Sequence, residues 1–338
     1  MNTRKPKLLV LDDREGEIGR SPALETMRTM AEVHVLGQPL SETPDDLVRD
    51  ARFIVAVRER TRIDVAVLDR MPHLEMILQT GGHAYHIDLE EAAEREIVVP
   101  LWRENAACEA AVRELTIGLM IAALRRVPEA VRDTDAGNWT QNMGGTLRGR
   151  RLGILGLGLQ GRAVARLARA FDMDVVASVS ESGNARSVDG IPRIPLDELL
   201  ATSDVVSVHL RLSERSRGYL SRERLRAMKP GSVLINTARG AIVDPDALAE
   251  VLSNGPLRAA GLDVFAHEPL PADSPLRRLP NVVLTPHIGW VVAEAFAEFA
   301  QGATDQLTDY LQGKLPESEL AFAPRRRQVP GHLGGVAV

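Results

Sequence analysis

The chain has 338 residues, enough for about two domains. Hydrophobic residues make up 44% and charged residues 26%, the balance of a globular protein with a real core. The net charge of -5 argues against a nucleic-acid or anionic-membrane surface as the main partner, and the single Cys108 excludes an internal disulfide and a cysteine-rich zinc site.

The basic residues Arg4, Lys5 and Lys7 meet an apolar run, 8–11, that is too short for a signal segment and ends at Asp12-Asp13. No run resembles a membrane span, so the reading is a cytoplasmic protein. Strands are predicted at 7–11, 32–36, 53–57, 76–79 and 97–101, with helices at 21–30 and 44–49 between them. That rhythm specifies a parallel sheet covered by helices. After the fourth strand comes Gln79-Thr80-Gly81-Gly82-His83-Ala84-Tyr85, a loop whose two glycines leave its backbone accessible. No third ligand accompanies His83 and His86, so no metal site is expected. A long helix is predicted over 106–126 with Pro128 marking its end, and 133–150 read as irregular.

The alternation restarts at Arg151. An apolar strand, 152–155, runs into Gly156-x-Gly158-x-x-Gly161 and then into helical spacing at Val164, Leu167, Ala168 and Phe171. A tight glycine turn between a strand and a helix start is an anion site, because the first helical N–H groups lack intrahelical partners. Gly156 permits the turn, Gly158 admits a pyrophosphate, and Gly161 lets helix and strand pack closely. Further strands are predicted at 174–179, 205–209, 232–236, 259–264 and 282–284, giving the six of a doubly wound dinucleotide fold. A helix over 291–311 follows, and from Pro316 on, past Arg325-Arg326-Arg327, the chain is expected to be loose.

Three of these strands end in chemically useful residues: Arg239 in Ile235-Asn-Thr-Ala-Arg-Gly240, Glu268 in Asp263-Val-Phe-Ala-His-Glu-Pro269, and His287 in Leu284-Thr-Pro-His-Ile-Gly289. Ligands of open α/β sheets bind at carboxyl ends of strands, so the three can converge. Taken singly, His287 reads equally as a core histidine, Arg239 as a surface ion-pair partner and Glu268 before Pro269 as a turn residue. As a set downstream of a glycine turn they read as an active site. An imidazole exchanges protons near neutrality, a carboxylate on its other nitrogen fixes the tautomer, and a guanidinium fork suits a substrate carboxylate.

With Ser203-Asp-Val-Val-Ser-Val-His209, Met228-Lys-Pro-Gly231 and Asp263-Val-Phe-x-x-Glu268-Pro269 also in order, the chain resembles the D-isomer-specific 2-hydroxyacid dehydrogenases, most densely over 149–289. The resemblance implies an NAD- or NADP-dependent oxidoreductase acting on a small 2-oxo or 2-hydroxy acid, with Arg239, Glu268 and His287 catalytic. It implies a dinucleotide-binding Rossmann domain over 105–290, inserted into a flavodoxin-like substrate domain over 1–104 and 291–320, with a loose tail over 321–338. Cofactor contacts are then expected from Gly156, Gly158, Leu159, Gln160, Gly161, Ser178, Ser180, His209, Leu210, Arg211, Thr237, Ala238, Asp263 and His287. Substrate contacts are expected from Gly81, Gly82, His83 and Arg239. Trp139 lies in the segment that belongs to a dimer arm in the family, so a homodimer is implied.

The sequence departs from the family where many members carry a ribose-binding Asp, for Val179 stands there. Without that carboxylate, Ser178, Ser180 and Arg186 admit a 2′-phosphate. Glu181 can instead hold the ribose, and the lack of an Arg directly after the strand favours NAD. Arg211 replaces a common Pro and is a candidate phosphate contact. The arginines 215, 217, 222, 224 and 226, mixed with Glu214 and Glu223, read as a solvated face. Alternative readings are a phosphite or formate dehydrogenase on the same fold, with Glu268 counting against formate, and a nucleotide-sensing corepressor-like protein.

Overall fold

The computed structural model describes residues 5–179 and 186–322. Ser180, Glu181 and the tail beyond 322, named among the expectations, lie outside the described residues. The chain divides into two compact units, one of residues up to 107 with those from 291 on, the other Cys108–Trp290. Both are α/β with parallel sheets.

In the first unit, β1 (Lys7–Leu11), β2 (Glu32–Val35), β3 (Ala51–Ala56) and β4 (Met76–Gln79) pair in parallel in the order β2-β1-β3-β4. Alternate residues share one core: Leu9, Leu11, Ile54, Ala56 and Ile77. Between the strands lie α1 (Glu17–Arg20), α2 (Ala23–Met30), α3 (Asp45–Arg49) and α4 (Val65–Asp69), and α5 (Leu89–Glu94) follows β4. The last two begin at Asp64 and Asp88, whose carboxylates accept the N–H of Val67 and Glu91. The helix Ala293–Leu311 also belongs here, burying Phe296, Phe299, Ala300, Ala303 and Leu307 along one face and lying against α2.

Two expectations need correction in this unit. Residues 97–101 do not form a regular strand. They meet β4 only through bridges Met76–Val98 and Gln79–Leu101, because Pro100 has no N–H to donate. Nor are residues 316–322 loose. Residues 317–319 form a short turn of helix, Leu101 donates to the Glu319 carbonyl, Ala321 donates to that of Val99, and Phe322 packs on the core.

The second unit carries α6 (Ala106–Arg125), α7 (Val127–Asp135), β5 (Arg151–Leu155), α8 (Leu159–Ala170), β6 (Asp174–Ser178), β7 (Ser187–Val188), β8 (Ile191–Ile194), α9 (Leu196–Thr202), β9 (Val205–Val208), α10 (Arg222–Arg226), β10 (Val233–Asn236), α11 (Pro245–Asn254), β11 (Ala259–Leu262) and β12 (Val282–Leu284). Among the described residues its sheet has eight strands in the order β12-β11-β10-β9-β5-β6-β8-β7. The β7–β8 hairpin was not expected; β7 is its antiparallel member, while β8 runs parallel to β6. α6 ends at Arg125, as the sequence led one to expect, but a second helix that was not expected follows it, and it includes Pro128. The proline sits in the first turn of α7, where its missing N–H has no intrahelical partner to lose. The break falls at Arg126, whose φ is 56°.

The sheet is buried on both faces, and adjacent residues part company. Ile154, Val205, Val233, Ile235 and Ala259 pack under α6 and α8; Leu155, Val206, Leu234, Ala260 and Leu262 pack under α9, α10 and α11. Chain order runs outward from β5 through β6, then returns to start β9 on the other side of β5. That reversal opens a crevice at the carboxyl ends of β5 and β9, the usual ligand position in such sheets. The arginine-rich stretch over 215–226 is largely exposed. Arg222 and Arg226 both pair with Glu250 of α11, and Arg224 lies 4.4 Å over the Tyr219 ring.

Candidate active site

At the reversal point, β5 ends in a turn with Gly156 at φ 98°. A Cβ on Gly156 would stand 2.7 Å from the His209 carbonyl oxygen, and one on Gly161 would stand 2.1 Å from the Gly156 carbonyl oxygen. Neither position admits a side chain. Gly158 has open space around it and begins α8 without any side-chain cap, so no capping side chain claims the first N–H groups of the helix. A turn that glycine alone can make, ending on an uncapped helix start, fits the pyrophosphate of a dinucleotide.

The flanks of this turn are polar. Ser178 closes β6, and Val179 after it is 40% exposed and donates to the Ile194 carbonyl. His209 follows β9, its Nε2 2.8 Å from the Ser207 hydroxyl. Burial pushes its pKa down to about 4, so the ring is neutral near pH 7. Leu210 is half-buried and Arg211 exposed.

The three neighbouring strands β10, β11 and β12 deliver the chemically useful groups. Arg239 stands three residues past β10, half-buried, with Nη1 donating to the Ala238 carbonyl at 2.7 Å. Glu268 follows β11. Its Oε1 accepts the Phe265 N–H at 2.8 Å, and its Oε2 lies 2.6 Å from His287 Nδ1. His287 follows β12 with φ 55°, a left-handed conformation uncommon for a residue with a Cβ. What holds it there is Asp263. One carboxylate oxygen accepts the Thr285 hydroxyl at 2.6 Å and the Ile288 N–H at 2.9 Å; the other accepts the Gly289 N–H at 2.9 Å. Burial raises the Asp263 pKa, opposed by these hydrogen bonds and by His287. Both oxygens of Asp263 are thus engaged by the His287 loop.

Sequence reasoning missed several supports. Thr285 and the Phe265 N–H carry no chemistry of their own. Thr116 of α6 reaches the Thr237 hydroxyl at 2.8 Å across 121 residues, which no local pattern announces. Asn236 could have been found, since an Asn closing a strand ahead of a turn is a local hydrogen-bonding signal.

In the first unit, the Gly81-Gly82 loop is packed against its own neighbours. A Cβ on Gly81 would stand 2.7 Å from Arg58 Nη1. His83 Nε2 lies 3.0 Å from Glu59 Oε1, its ring stacks on Tyr85 at 4.7 Å, and its carbonyl accepts Gln79 Nε2. His86 is pushed by burial to about 4 and is neutral near pH 7. Among the described residues no group of three or more His, Cys, Asp or Glu side chains is arranged to hold a metal, and no helix is long and apolar enough to cross a membrane.

The model of one family, described as the NAD-binding domain of D-isomer-specific 2-hydroxyacid dehydrogenases, matches residues 117–289. Glyoxylate reductase of Thermofilum pendens is 37% identical over 265 residues, covering 75% of this chain and 77% of that protein. D-3-phosphoglycerate dehydrogenase of Methanocaldococcus jannaschii is 34% identical over 323 residues; the match takes in 92% of this chain but only 59% of that longer protein. Among solved structures, the TT0316 protein of Thermus thermophilus superposes with a TM-score of 0.79 at 36% identity, covering 94% of this chain and all of that one. The phosphoglycerate oxidoreductase of Vibrio cholerae gives 0.81 at 31% identity, covering 91% and 99%. D-lactate dehydrogenase of Aquifex aeolicus, solved with NAD and lactic acid, gives 0.77 at 25%, covering 93% and 98%.

Proposed function

This chain belongs to the D-isomer-specific 2-hydroxyacid dehydrogenase family, and we propose that it is a cytoplasmic NAD(P)H-dependent reductase of small 2-oxo acids. The carrying observation is the 2.6 Å contact between Glu268 and His287, beside the turn of Arg239 and in the same sheet as the glycine turn. Gly156, Gly158, Leu159, Gln160 and Gly161 would hold the pyrophosphate, with Ser178, His209, Leu210, Arg211, Thr237, Ala238 and Asp263 as further cofactor contacts. A nicotinamide held by these residues would supply the hydride that C2 of the acid requires.

The chain's own residues supply the rest. Arg239 offers a planar double donor to the substrate carboxylate. Glu268, fixed by the Phe265 N–H, accepts Nδ1–H of His287 and stabilises the imidazolium. That leaves Nε2 to give its proton to the carbonyl oxygen as hydride arrives, so the ketone becomes a hydroxyl and both added hydrogens are accounted for. In the reverse direction the same nitrogen takes the proton back. Gly81, Gly82 and His83 are proposed as additional substrate contacts.

Turnover tests this reading. NADH and NADPH consumption is measured with glyoxylate, pyruvate, hydroxypyruvate and bulkier 2-oxo acids. At least one acid is expected to be reduced, with kcat/KM for the two cofactors within about 1,000-fold of each other, since exposed Val179 supplies no charge to reject a 2′-phosphate. Cofactor binding without turnover of any acid would favour a nucleotide sensor.

A homodimer is also proposed. α7 buries none of its residues, and Trp139 and Met143 after it are 85% and 87% exposed. A second copy of the chain covering this face removes that apolar surface from water. Sedimentation is expected to give the mass of two chains, and Trp139→Arg to shift it to one; a wild-type monomer at micromolar concentration would refute the assembly.

A further inference from the structure

The turn that presents Arg239 is bracketed by a single carboxamide. Asn236 closes β10 and is 1% exposed. Its Oδ1 accepts the Ala238 N–H at 3.0 Å, and its Nδ2 donates to the Arg239 carbonyl at 3.0 Å. Its own carbonyl accepts the Asp263 N–H at 3.0 Å, tying the bracket to the end of β11. The two side-chain bonds clasp the backbone on both sides of the Arg239 Cα, and so fix the direction in which that side chain leaves the turn.

Beyond Arg239 the chain has no room to adjust. A Cβ on Gly240 would stand 1.9 Å from the Phe265 carbonyl carbon. Phe265 is the residue whose N–H holds Glu268, and Glu268 holds His287. A continuous series of contacts therefore runs from Asn236 through the Arg239–Gly240 backbone to Phe265, Glu268 and His287. Moving the arginine turn means moving the carboxylate loop with it.

We propose that Asn236 is a positioning residue, which sets the Arg239 fork in register with the Glu268–His287 couple. The proposal rests on the reading of Arg239 as the carboxylate fork. Only a side chain with an acceptor and a donor on one planar group makes both bonds. Asp keeps the acceptor but turns a lone pair toward the Arg239 carbonyl. Gln carries both groups one methylene too far out. Misplacement of a catalytic group by about 1 Å is enough to cost on the order of 100-fold.

A double-mutant cycle on the full chain separates positioning from plain support of the fold. Asn236→Asp is expected to raise KM for the 2-oxo acid about tenfold and lower kcat about tenfold, the combined loss expected for a misplacement near 1 Å. NADH affinity, read by fluorescence titration, is expected to fall by less than the rise in KM for the acid, because of the proposed cofactor contacts only Thr237 and Ala238 lie on this turn and the glycine turn lies on other strands. In an Arg239→Gln background the same substitution is expected to cost less than about threefold, since the group it positions is gone. Asn236→Ser, whose single hydroxyl cannot reach both the Ala238 N–H and the Arg239 carbonyl, takes the place of Asn236→Asp if the latter does not fold. The proposal is overturned if the Asn236 substitution leaves KM and kcat unchanged, or if its full cost persists without Arg239. If Arg239→Gln alone behaves as wild type, the reading of Arg239 falls and takes this one with it; if Arg239→Gln is crippled and the Asn236 variants are not, only the positioning role falls.

Discussion

Replacing His287 with Ala is expected to lower kcat by at least about 100-fold while NADH still binds. The proton for the carbonyl oxygen has to come from a positioned donor, and the imidazole held by Glu268 is the candidate at this site. A positioned general acid is worth about 100- to 10,000-fold, or roughly 3–5 kcal/mol of barrier. The variant is expected to fold. The left-handed backbone at His287 is held by Asp263 through Thr285, Ile288 and Gly289, none of which involves the ring. Alanine at φ 55° retains the strain of a Cβ there, which is a cost the wild type already bears. Stopped assays of NADH consumption give kcat, fluorescence titration gives the affinity, and thermal melting checks the fold. Full activity across the pH range in the alanine variant would remove His287 as proton donor and with it the proposed mechanism.

How far the sequence could be read follows from how local each signal is. The strands β5, β9, β10 and β11 are apolar runs buried on both faces, and such runs announce themselves without reference to their neighbours. The glycine turn is legible for the same reason: each glycine answers a clash within a few residues or with the adjoining strand. The β7–β8 hairpin was illegible because β7 is two residues long and β8 is interrupted by Pro192 and Arg193. Pro128 marked the end of α6 correctly but gave no sign of α7, because proline closes one helix and opens the next with equal ease. Residues 97–101 looked like a strand by hydrophobicity, but the ladder needs the N–H that Pro100 lacks. The segment around Leu320 gave no sign of order, since it is held by pairing with residues more than 200 positions earlier.

The candidate site divides in the same way. Arg239, Glu268 and His287 were visible as chemically useful residues at strand ends. Their support was not, because Thr116–Thr237, Phe265–Glu268 and Asp263 with the His287 loop are hydrogen bonds fixed by strand order rather than by spacing. The Glu268–His287 contact itself spans 19 residues and exists because β11 and β12 are paired neighbours.

Arg239→Gln is expected to reduce kcat/KM for the 2-oxo acid by about 1,000-fold, mainly through KM, with NADH affinity nearly unchanged. Truncating one partner of a hydrogen-bonded charge pair costs about 2–5 kcal/mol, and 1,000-fold is about 4. The loss falls on KM because the carboxylate is present before and after the carbonyl is reduced, so the fork binds ground state and transition state alike. Part of it falls on kcat, since the fork also orients C2. Arg239→Lys separates charge from geometry. A lysine restores the positive charge as a point rather than a plane, so it is expected to recover about tenfold over Gln and to remain well short of Arg. The turn itself survives either change, because it is held by Asn236 and by Gly240 against Phe265, not by the guanidinium. Steady-state kinetics of the three proteins on one acid decide the matter. A glutamine variant with wild-type KM, or a lysine variant equal to wild type, would show that the substrate carboxylate is bound by something other than this planar pair of donors.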